Sequence, residues 1–227
     1  MSASILKAHD SADSGIQFSD RMSTKSTPSA SFGQPLNVDF NYKKFKAIIS
    51  ARDDPQAASV YDVKIHAFSP HYTFHSPARN NTSIGTGTLH AVQTKATCTV
   101  HSNEITLQPL KRLATKYNYL SLAFKHPDGS RAVMVWDGTL KLKTWDFIML
   151  DEHQLPIARF KANVWGVRDL GSIEFMDPDK VTEAMRDEII VTGTMVYQQM
   201  MLRSTNIFNL IGAGFSKTGP VRAEKAE

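Results

Sequence analysis

The chain has 227 residues, enough for one large domain or two small ones with a real core. Its 41% apolar and 21% charged content is ordinary for a globular protein, and a net charge of +4 excludes a histone-like polycation. The one cysteine, Cys98, rules out an intrachain disulfide and points to a reducing compartment.

Residues 1–34 are rich in Ser, Thr, Ala and Asp and hold few large apolar groups, so a disordered tail is expected there. The first twenty residues carry no apolar run of signal-peptide length, which predicts a cytoplasmic protein, with peripheral membrane attachment open. The overlapping sequons at Asn80 and Asn81 then mark a polar turn. From about Pro35 the pattern changes to short β-branched or alternating runs broken by turn residues. Strands are predicted over Val60–Phe68, Thr86–Gln93, Ala96–His101 and Glu104–Leu110.

Two hairpins follow. Tyr119–Lys125 and Arg131–Trp136 flank His126-PDGS, where Pro127 presets φ, Asp128 can fold onto the backbone and Gly129 tolerates positive φ. Trp145–Leu150 and Leu155–Trp165 flank Asp151-EHQ, and a last strand is expected at Gly171–Phe175. Many short strands at roughly 8–12-residue spacing indicate an all-β meander, sandwich or barrel.

The period then changes. Asp177 can cap a helix with Pro178 at its first position, running to about Arg203. Between Glu188 and Arg203 no residue is charged, and apolar groups fall on every side of the helix. At ~1.5 Å per residue this uncharged run reaches about 21 Å, short of a ~30 Å bilayer core. Gln198 and Gln199 also fit hydrocarbon poorly, so a buried helix is expected. Gly193 costs about 1 kcal/mol in a helix interior, which suggests that a strand comes close there.

These features resemble the tubby C-terminal-like fold, shared by tubby proteins, phospholipid scramblases and LURP-one-related proteins. The residues that carry the likeness are Ile84-GTGTLH, Lys111-RLATKYNYLSL, Thr144-WDFIMLDEHQLPIARFKANVWG and Asp187-EIIVTGTMVYQQMMLRSTNIFNLIGA, within Leu36 to Gly214. The nearest likeness is to a group of uncharacterised fungal tubby-like proteins. The resemblance implies a mainly β fold, a closed antiparallel β-barrel around a buried hydrophobic helix; the domain is expected over residues 35–216, with a flexible tail over 217–227. It implies fold more than function, because tubby binds phosphoinositides, scramblases act at membranes and LURP-one proteins have no settled activity. Tubby's lipid-contacting residues have no one-for-one match here.

Candidate chemistry is sparse. Lys43, Lys44 and Lys46 cluster, as do Lys111, Arg112 and Lys116, while Lys141 with Lys143 and Arg159 with Lys161 lie two apart. Residues two apart on a strand share a face. If Lys111, Arg112, Lys141, Lys143, Arg159 and Lys161 converge, they form a basic patch for a phosphoinositide head group or an anionic leaflet. The same pairs equally suit the solvated face of a barrel.

His71 and His75 share a strand face without a third ligand, and Cys98 alternates into the core with no base beside it. The pairs Asp53-Asp54, Asp151-Glu152 and Asp187-Glu188 give no sign of two carboxylates converging on a cleft, since adjacent residues on a strand point to opposite faces and those on turns are mostly solvated; Trp136, Trp145 and Trp165 read as wall or core. The expected protein is therefore a non-enzymatic monomer with no metal, cofactor or nucleic acid. It would bind anionic phospholipid or, alternatively, act as a protein-interaction scaffold or a small-ligand-binding barrel.

Overall fold

The computed structural model describes residues 32–54, 58–90, 95–111, 115–140, 144–163, 165–205 and 218–221. Twelve strands follow in chain order: β1 Leu36–Asn41, β2 Lys46–Ala51, β3 Tyr61–Ile65, β4 Tyr72–Ser76, β5 Thr82–Leu89 and β6 Ala96–Val100. Then come β7 Asn103–Pro109, β8 Lys116–Lys125, β9 Arg131–Leu140, β10 Thr144–Leu150, β11 Pro156–Asn163 and β12 Asp169–Phe175. One helix, α1 Glu183–Thr205, ends the run. Each strand pairs antiparallel with its sequence neighbour, and β1 pairs with both β2 and β12, closing a barrel with no free edge.

Alternation sets the inner face. Ala47, Ile49 and Ala51 on β2, Ala96, Cys98 and Val100 on β6, and Ala158, Phe160 and Ala162 on β11 are all buried. About eight strands already give a barrel whose interior side chains can fill, so twelve leave a wider lumen. α1 occupies it. Every residue from Arg186 to Tyr197 is buried, and walls on several sides touch the helix. Trp136 on β9 donates its Nε1–H to Thr192 Oγ1 at 3.1 Å, and Tyr72 on β4 donates to Gln198 Oε1 at 3.1 Å. On the β11 side the rings of Phe160 and Tyr197 lie 5.4 Å apart. The expected fold class thus holds: a mainly β, closed antiparallel barrel around a buried C-terminal helix.

Both hairpin turns form as their chemistry requires. His126 N donates to Ser130 O, Asp128 Oδ1 accepts from Ser130 N and Oγ, and Gly129 has φ of 84°. In the second, Asp151 Oδ1 accepts from His153 N and Leu155 N. The helix start differs from the Asp177 expectation. Pro178–Lys180 is a short 3-10 turn, Val181 is extended, and Thr182 caps α1 by accepting from Met185 N on Oγ1 and Arg186 N on its carbonyl. The chain must first turn inward from β12 before a helix can run along the barrel axis. Expectations for residues 1–31 and 222–227 lie outside the described residues; near the C-terminus, Gly219 N donates to Pro109 O.

Gly193 is crowded, but by rings rather than a strand backbone. A Cβ there would stand 3.0 Å from the Trp136 ring.

Candidate functional site

Strand order divides the loops into two ends. The segments after β1, β3, β5, β7, β9 and β11 lie at the end toward which α1 points. Their described residues include Lys43, Lys44, Lys95, Lys111 and Arg168 and no carboxylate. The opposite end carries Asp53, Asp54, Asp128, Asp151, Glu152, Asp177 and Asp179 against Arg52, Arg79 and Lys180. The loop charges are therefore split along the barrel axis into a basic end and an acidic end, with exposed Asp169 opening β12 at the first and exposed Lys125 and Arg131 flanking the β8–β9 turn at the second. Lys43, Lys44, Lys111 and Arg168 are exposed at the basic end.

Of the six cations expected to converge, Arg112, Lys141 and Lys143 lie outside the described residues. Arg159 and Lys161 share the outer face of β11, as their spacing requires, but each meets a carboxylate on a neighbouring strand. Arg159 Nη2 lies 3.0 Å from Asp146 Oδ2 on β10, and Lys161 Nζ 3.1 Å from Glu174 Oε2 on β12. Arg52 Nη1 closes on the same Glu174 at 2.9 Å. Partial burial alone would raise the Glu174 carboxyl, but hydrogen bonds from Arg52 and Lys161 hold it below its ordinary value. Lys111 follows β7, with β8, β9 and β10 between it and β11. This stretch of the outer wall is thus an ion ladder, whereas Lys43, Lys44, Lys111 and Arg168 are exposed on the loops.

A groove of about 930 Å³ runs along β1, β12 and β11 beside that ladder, lined in part by Asn37, Asp39, Arg52, Lys161, Trp165 and Asp169. Asp39 faces Asp169 across the strands, and burial together with that neighbour raises its carboxyl. Trp165, expected in the wall or core, is 76% exposed. The strand stops at Asn163, so Trp165 falls in the β11–β12 loop.

The acid pair Asp187-Glu188, which the sequence reading gave no role, is fully buried at the helix start. Asp187 accepts from Tyr61 Oη at 2.6 Å, from Arg79 Nη2 and Nη1 at 2.7 and 2.8 Å, and lies 3.0 Å from His101 Nε2. Burial pushes the Tyr61 hydroxyl up against the pull of Arg186, keeping it a neutral donor. Glu188 accepts from Ser121 Oγ, Leu122 N and Ala123 N at 2.6 to 2.8 Å. Those amides belong to a stretch of β8 where the pairing with β9 shifts register after Leu120. Adjacent residues on a helix point about 100° apart, so the two acids reach different walls. A capped α1 start was the signal that could have placed them indoors.

His71 Nδ1 accepts from Leu89 N, His75 is lowered chiefly by burial, and no metal-binding cluster occurs among the described residues. Cys98 is buried, which pushes its thiol up. No helix among the described residues is long and apolar enough to cross a membrane. Compared with protein-family profiles, curated proteins and solved structures, the chain matches none.

Proposed function

We propose that this chain is a non-catalytic, tubby-like module that binds an anionic phospholipid surface, phosphoinositide-bearing membrane included, through the basic end of its barrel. The supporting observation is the segregation of charge: Lys43, Lys44, Lys95, Lys111 and Arg168 occur at one end without a carboxylate in the described loop residues. Each Lys or Arg near an anionic leaflet contributes about 1 kcal/mol, and five together give useful but salt-sensitive attachment. The acidic residues at the far end are repelled by the same surface, so orientation follows from the sign of the field. The barrel and enclosed helix add agreement with the tubby-like resemblance, whose better-known members work at lipid.

Flotation of the full chain with phosphatidylcholine vesicles, alone or with phosphatidylserine or a phosphoinositide, tests this reading. Binding is expected only to the anionic vesicles and should fall as salt rises. Absence of binding to all three at low salt would sink the proposal.

A further inference from the structure

We infer that three neighbouring loops at the basic end insert apolar side chains into the headgroup boundary of an anionic membrane, so that the barrel docks end-on. This rests on the lipid-binding reading above and adds to it a contact surface, an insertion step and an orientation. The loops joining β11 to β12, β1 to β2 and β3 to β4 are consecutive around the rim, because β12 pairs with β1 and β2 with β3. They expose Trp165, Val167, Tyr42, Phe45 and Phe68, the last 85% exposed.

Large apolar side chains clustered on one end of a closed barrel are unfavourable in water and need a partner surface. Here Lys43 and Lys44 stand between Tyr42 and Phe45, and Arg168 follows Val167. An aromatic next to a cation is the pairing that a lipid interface rewards: the ring sits at headgroup level and the cation meets phosphate. A protein partner could use the rings, but the described loop residues of this rim carry cations and no carboxylate, with Asp169 and Asp39 set back on β12 and β1, which favours an anionic surface.

The loops are also braced. Tyr42 donates its hydroxyl to Val167 O at 2.5 Å, and Phe40 N donates to Arg168 O at 2.7 Å, which ties the β1–β2 loop to the β11–β12 loop. Phe40 meets Tyr42 and Phe45 edge-on at 4.6 and 5.7 Å. Ser69 Oγ and Thr88 Oγ1, 3.1 Å apart, tether the third loop to β5. Braced loops lose little conformational freedom on docking, which favours insertion of several side chains at once.

The experiment combines vesicle partition with depth-dependent quenching on the full chain. Vesicles of phosphatidylcholine and phosphatidylserine carrying acyl-chain bromines should quench tryptophan emission, and Trp165→Phe should remove most of that quenching. Phe45→Ser with Phe68→Ser should weaken partition to the same vesicles about tenfold or more, while unfolding temperature stays near the parent's. Parental partition in that double variant, with no quenching of Trp165, would overturn insertion while leaving electrostatic binding in place. No partition by the parent would overturn both readings. A concentration-dependent dimer that Phe68→Ser abolishes, without vesicle binding, would assign the rim to a second copy of the chain and overturn the inference.

Discussion

Glu188 shows what a buried carboxylate can do without being catalytic. Its two oxygens accept from one hydroxyl and two backbone amides of β8, at a place where that strand leaves its register with β9. Without the carboxylate Leu122 N loses its acceptor and Ala123 N keeps only Ser121 Oγ at 3.1 Å, and a donor left unsatisfied away from water costs about 1–3 kcal/mol. Glu188→Gln keeps the shape but turns an NH₂ toward donors, and should lower stability by about 2–4 kcal/mol in urea denaturation. A loss within error would mean that the amides find other acceptors.

Glu174 makes a pH-dependent case. Its folded carboxyl lies below the ordinary 4.5, so the clasp with Arg52 and Lys161 contributes stability above that pH. The contribution is lost as pH falls through the lower folded value. Glu174→Gln should therefore flatten the acid limb of the stability curve as pH falls below the ordinary 4.5, with the loss already present at neutral pH. Parallel acid limbs for parent and variant would contradict the clasp.

At the scale of the element, α1 decides whether the barrel exists at all. Val196 is fully buried in the lumen, so Val196→Asp places a charge with no partner there and should prevent folding, as should Val191→Asp. Circular dichroism of either variant matching the parent would contradict the enclosed helix. Gly193→Ala is the finer probe. Alanine gains about 1 kcal/mol of helix propensity, yet its Cβ would press on Trp136. Overpacking of this kind costs about 1–3 kcal/mol, so a net loss is expected in thermal denaturation. A stabilised variant would show that the indole ring can yield.

The helix and both hairpins were legible because period, capping and turn chemistry are local. The helix starts later than its sequence signal because Pro178 suits any first turn, while the need to enter the lumen from β12 is non-local. Trp165 leaves the wall for a related reason. Alternation continues past Asn163 in the sequence, but the ladder with β10 ends there, and the side chain falls in a loop.

For the whole molecule, the charge along the axis matters more than the net charge. Lys43→Glu with Lys44→Glu alters only exposed loop residues and should leave the unfolding temperature within a few degrees of the parent's. It should reduce partition to anionic vesicles by about tenfold or more, since four units of charge change at the rim. By contrast, Arg159→Glu would face Asp146 with a like charge and should cost about 1 kcal/mol in stability, with vesicle binding little affected. A binding loss confined to Arg159→Glu would move the lipid site from the loops to the wall.

That strands surround a buried helix is already written in local sequence pattern. Two-residue alternation, turn residues and a short apolar run each carry their meaning within a few residues, and burying the run has few solutions. Which charges remain exposed depends on the closed fold. Arg159 and Lys161 look like Lys43 and Lys44 in composition, but closure of the barrel sets Asp146 and Glu174 on strands beside β11. The same closure brings three distant loops together at one rim and buries Asp187 and Glu188 at the other end. Those outcomes depend on strand order and register, and coupling between residues a hundred positions apart leaves no periodic mark in a single chain.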